Sequence, residues 1–164
     1  NKKYESENQA FLLKQQSIKE KMDYGSIMNY LEIKEKFRIK ETDENILFSP
    51  YKPTIESINK IEYETNPREK FETLMKANLE LKTSILDLTG GKSELNSMDD
   101  ELPLSIYVAT QINLKNAVAE VNIIEDYFKF SRDCIDKESK VLTNLKGAIQ
   151  FITSDWSKED IKKM

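Results

Sequence analysis

A helix is written out from start to stop in "NPREKFETLMKANLELKTSILDLTGG", residues 66 to 91. Asn66 is a good N-cap, Pro67 suits the first helical position, and Glu69 completes a capping-box-like pattern. Phe71, Leu74, Met75, Leu81, Ile85 and Leu88 then share one face, and Gly90 and Gly91 end the run. Such a helix must bury its stripe against other elements. The rest of the chain supplies only helices for that purpose, since helical spacing recurs and no period-two strand or hairpin signal is found.

Further helices follow from the same pattern. Residues 3 to 22 carry Phe11, Leu12, Ile18 and Met22 among many charges. Residues 23 to 26 read as a break, with Ser26 capping a short helix that holds Ile27, Tyr30 and Leu31. Residues 34 to 49 read as irregular or short-helical. A helix after Pro53 carries Ile55, Ile58 and Ile61. Another starts at Ser97 and ends near Asn113, a third covers 117 to 130, and a charged loop, "SRDCIDKESK", comes next. "TNLKGAIQFI" is expected to be a helix with Thr143 at or near its cap. Trp156 is expected to anchor the end of the chain to the core, and "SKEDIKKM" to form a short closing helix. The prediction is an all-α, layered assembly of about seven to nine helices rather than an elongated bundle. It divides into an N-terminal helical segment, residues 1–25, and a helical domain, residues 26–164 with its core at 49–152.

The 164 residues suffice to bury a core without staples. The net charge of −4, with no clustered basic face, argues against a nucleic-acid partner and a polybasic membrane anchor. The longest uncharged run, "LPLSIYVATQINL", is too short to span a membrane, and no signal peptide opens the chain. Starting at Asn1, the chain is expected to be a piece of a longer protein, other parts of which would be partners. A single cysteine, Cys134, allows no internal disulfide and suggests a reducing compartment. With no histidine, a Ser-His-Asp or Cys-His unit and the usual zinc sites cannot be built. No metal or cofactor is expected.

Two short stretches invite a functional reading. "GGKSE" at 90 to 94 contains Gly-Lys-Ser, but position 86 is Leu and a helix precedes it, so a helix stop fits better than a phosphate loop. In "SMDDELPLSIYVATQI", three acids, Asp99, Asp100 and Glu101, run into a proline and an apolar helix. Acids in a first turn favour the helix dipole, and Pro103 in or near that turn is tolerated. Capping is the stronger reading from physics alone. Against it, the following helix is apolar or uncharged all round, so it must be buried on every side or offer part of itself to a partner. Gly147 inside the late helix suggests close approach of another backbone, with the helix of Leu104 as its neighbour.

Taken in order, "NPREKFETLMKANLELKTSI", "DDELPLSIYV", "EVNIIEDYF" and "LTNLKGAIQFI" resemble the Vps-nine domain, named for vacuolar protein sorting. The likeness runs from about Ser49 to Ile152, extends more weakly from Ser26, and in "EVNIIED" is closest to the alsin branch. The first helix matches the helical bundle that often precedes the domain. The resemblance implies a guanine-nucleotide exchange factor for early-endosomal Rab GTPases of the Rab-five subfamily. Such a factor would be cytoplasmic and peripherally associated with endosomal membranes. It implies a shallow groove between the helix of Asp99 and the helix of Lys140. By family pattern Asp99 matches the catalytic aspartate finger, Pro103 the groove proline, and Thr143 a threonine that contacts the switch region. Leu104, Tyr107, Val108 and Asn144 would complete the GTPase-binding surface. Where family members often carry a tyrosine, this chain has Lys140. The alternative is a non-catalytic helical module that binds a Rab, or its own protein, without driving release.

Overall fold

The computed structural model describes residues 2–38, 50–92, 98–131 and 136–157. Seven α-helices and no strand occur among them. They are α1 (Glu5–Lys21), α2 (Tyr24–Tyr30), α3 (Lys52–Asn59), α4 (Pro67–Leu88), α5 (Met98–Gln111), α6 (Ala117–Phe130) and α7 (Asp136–Gln150). A π-helical stretch, Phe151–Asp155, continues α7. Cys134 and the closing helix expected beyond Ser157 lie outside the described residues.

α4 follows its local signals closely. Asn66 Oδ1 accepts the Glu69 amide at 2.9 Å. The Glu69 carboxylate reaches back one residue further than in a capping box, to the hydroxyl of Thr65 at 2.9 Å. At the other end Gly90 and Gly91 both take positive φ, 63° and 77°. Gly91 donates to the Leu86 carbonyl and Gly90 to that of Asp87, a Schellman stop that satisfies two orphan acceptors. Phe71, Leu74, Leu81 and Ile85 are buried.

Two boundaries differ from expectation. The cap of α2 is Asp23, not Ser26, and it accepts the Ser26 amide at 2.7 Å. That bond, given by the Ser26 amide, holds the Asp23 carboxyl below its usual range. α7 begins at Asp136, inside the expected charged loop, so Thr143 lies in mid-helix and caps nothing. The Lys and Glu of "DKESK" are good helix formers, and nothing in that stretch breaks a helix. Pro103 lies beyond the first turn of α5, within the helix. It cannot donate the amide that would bond the Asp99 carbonyl four residues back.

α5 sits at the centre, packed on α7 and touched by α1 and α3, while α3 packs on α4, α4 on α6, and α6 on α7. Leu104, Ala109, Ile112, Ala117 and Ile124 are fully enclosed. Lys70 of α4 and Glu120 of α6 form a buried charge pair, Nζ to Oε2 2.7 Å. The angle does not suit a hydrogen bond to that oxygen, and Lys70 also donates to the Ile61 carbonyl at 2.9 Å. α1 contributes two buried polar side chains at a seven-residue spacing, Asn8 and Gln15. Asn8 Oδ1 accepts the first-turn amides of α6, Val118 at 2.8 Å and Ala119 at 3.2 Å. Gln15 Nε2 donates to the last-turn carbonyl of Ala109 at 2.9 Å and to Ile112 at 2.7 Å. α1 therefore caps one end of α5 and the opposite end of α6, where helices leave backbone groups unsatisfied.

Candidate GTPase-binding surface on the central helix

The three acids at the head of α5 have different surroundings. Asp99 is exposed, whereas Asp100 and Glu101 are half-buried. Asp100 Oδ1 lies 2.9 Å from Lys34 Nζ. Glu101 Oε2 accepts from Asn144 Nδ2 of α7 at 3.2 Å. Asp99, Asp100 and Pro103 form one side of a small cleft of about 80 Å³, and Glu32, Ile33, Lys34 and Phe37 form the other.

Next along α5, Leu102 is exposed and Pro103 half-buried. A Cβ on Gly147 of α7 would meet Leu102 Cδ1 at 3.7 Å. The expected neighbour of Gly147 is thus the right helix, but it arrives as a side chain at ordinary contact distance and not as backbone. Lys140 and Thr143 are exposed on α7. Their helical spacing to Gly147 puts all three on one side of that helix. The surface beside Asp99 is thus made of Leu102 and Pro103 from α5, and Lys140 and Thr143 lie exposed on the helix that packs against it.

Leu104, Tyr107, Val108 and Asn144 lie deeper than those exposed side chains. Leu104 is fully buried, and Tyr107 and Val108 are 4% and 3% exposed. The Tyr107 ring meets Tyr51 edge-on, with centroids 5.6 Å apart. Burial, with a smaller contribution from Tyr24, pushes its hydroxyl up to about 12. Asn144 is buried and spends its amide on Glu101. Leu104 and Tyr107 support the surface from below, while Val108 and Asn144 line a narrow hollow between α5 and α7.

Sequence reasoning did not single out Leu102, which lies one turn on from Asp99. Counting three and four residues on from Asp99 selects Leu102 and Pro103; Tyr107 follows Pro103 at the same spacing, and it is packing that buries it. Lys34 gave no such signal, because its partner lies far along the chain.

Larger hollows occur elsewhere. The groove between α1, α6 and the end of α7 holds about 460 Å³. Among the described residues no group of three or more His, Cys, Asp or Glu could hold a metal. No described helix is long and apolar enough to cross a membrane.

A family model, the vacuolar sorting protein 9 (VPS9) domain, matches residues 51–156. A stretch of 71 residues is 38% identical to part of the ALS2 C-terminal-like protein of Mus musculus. That stretch is 43% of this chain but only 7% of the mouse protein's length. The family match opens on Tyr51 and closes on Trp156, both buried.

Proposed function

The chain belongs to the VPS9 domain family, and from that premise we propose that it is a guanine-nucleotide exchange factor. Its substrate would be a Rab GTPase of the Rab-five type. The observation that carries the reading is Asp99, exposed at the head of the central helix with the family's proline four residues on.

No bond is made or broken in such an exchange. The factor binds the nucleotide-free GTPase better than the GDP-bound form. By linkage, GDP is then held less tightly in the complex, by the same factor. Asp99 supplies the differential interaction. Its carboxylate approaches the phosphate-binding lysine and magnesium site of the GTPase and competes for that positive charge. Docking removes water from the contact, and the attraction strengthens as the local dielectric falls. Leu102 and Pro103 give the apolar ground on which a switch segment rests, with Thr143 and Lys140 on the facing helix. Holding the switches open is the order-and-position change typical of GTPase control. The working place of the protein would be the cytoplasmic face of endosomes.

The test is release of fluorescent GDP from a panel of Rab GTPases with and without the protein. Faster release from Rab-five-type members supports the reading. Lys140, at the place of the usual tyrosine, favours a second reading, a module that binds the GTPase without expelling nucleotide. Complex formation with unchanged release throughout the panel would decide for it.

A further inference from the structure

The family match begins at Tyr51, yet one side of the cleft beside Asp99 is built from residues before it. That side is the turn that ends α2. Glu32 adopts a φ of 54°, uncommon for a residue with a side chain. Glu32 donates to the Asn29 carbonyl and Ile33 to that of Met28, so the turn is a Schellman stop with Glu where glycine is usual. Ile33 and Phe37 enter the core, 3% and 1% exposed. The backbone of Lys34 is therefore fixed between two buried anchors, and its ammonium group lies 2.9 Å from Asp100.

The first turn of α5 needs such anchors. Pro103 withholds the amide that would bond the Asp99 carbonyl, so the helix ladder is weaker where Asp99 sits. Side chains hold the turn on two sides: Glu101 is tied to Asn144 on α7, and Asp100 to Lys34. We propose that Lys34 is a positioning residue of the exchange site, fixing through Asp100 the place from which Asp99 acts. The proposal rests on the exchange reading of Asp99. Because Lys34 acts on the turn and not on the GTPase, it sets how fast nucleotide is expelled more than how tightly the GTPase is held.

The experiment is GDP release measured at rising concentrations of the intact chain, which separates maximal rate from half-saturating concentration. Lys34→Ala and Asp100→Asn should each lower the maximal rate by about two- to fivefold, the scale of losing one partly exposed ion pair. Half-saturation should stay as in the wild type, and the melting temperature should fall by no more than the few degrees one such ion pair is worth. Lys34→Arg should keep the rate. The exchanged pair, Lys34→Asp with Asp100→Lys, should recover most of what either single reversal loses. Wild-type maximal rates in Lys34→Ala and Asp100→Asn would overturn the proposal, as would an exchanged pair no better than the single reversals. Losses that follow the melting temperature from variant to variant would overturn it too, since Lys34 would then only maintain the fold. If the wild type releases no GDP, the reading of Asp99 fails and the proposal falls with it. Failure of the proposal alone looks different: wild type and Asp99→Ala differ, while the Lys34 variants match the wild type.

Discussion

Asp99, Asp100 and Glu101 are chemically alike and adjacent, and the fold separates them by what lies opposite each. Asp100 faces Lys34, Glu101 faces Asn144, and Asp99 is the exposed one of the three. A first turn of acids could be read from local chemistry alone. Which acid is exposed could not, because the two partners come from other parts of the chain, Asn144 being 43 residues away from Glu101. Gly147 shows the same limit. Its position in a helix points to a crowded site beside α5, and α5 is the neighbour. The contact is an ordinary 3.7 Å one with Leu102. Its φ is not in the left-handed region, so neither space nor backbone demands glycine there. Gly147→Ala should therefore raise the stability of the fold by up to about 1 kcal/mol, the helix-propensity gain. The midpoint of urea denaturation checks this; a lower midpoint would mean that Leu102 cannot yield.

At the level of elements, legibility followed the range of the signals. α4 was readable because its cap, proline, apolar stripe and glycine stop all lie within the helix or beside it. α7 was misread at its start, because Thr143 resembles a cap only if the residues before it are taken as loop. The range of α6 was legible, 117 to 130, but the side chains that cap α5 and α6 were not, since they come from α1. Asn8 and Gln15 look like surface residues of a charged helix, yet both are buried. Asn113 confirms the pattern: its amide, which could have continued α5, donates to Asn59 of α3 at 2.6 Å. Gln15→Leu keeps roughly the same volume but leaves the Ala109 and Ile112 carbonyls without their donor. Loss of stability of about 1–3 kcal/mol is expected, the penalty for buried groups left unpaired. Chemical denaturation of the two proteins measures it directly.

For the whole molecule, the helices before the family match are bound to it at several points. Tyr30 of α2 stacks on Trp156, with ring centroids 4.4 Å apart and an interplanar angle of 16°. The Lys14 ammonium donates to the Trp156 carbonyl. Phe11 and Ile18 of α1 are both fully buried. A chain starting at residue 23 would lose these two side chains, and the caps on α5 and α6 with them. The two side chains alone are worth about 3–6 kcal/mol, a large share of the stability of an ordinary domain. Thermal unfolding followed by circular dichroism should show a much lower or non-cooperative transition for the shortened chain. The all-α class was legible from periodicity, and the family from the order of four motifs. The division of labour on α5 was not, because inward and outward sides are set by packing that no single helix records. The proposed exchange activity turns on Asp99. Release of fluorescent GDP from a Rab-five-type GTPase should be accelerated by the wild-type chain and return close to the intrinsic rate with Asp99→Ala, at an unchanged melting temperature. Equal acceleration by the wild type and by Asp99→Ala would contradict it.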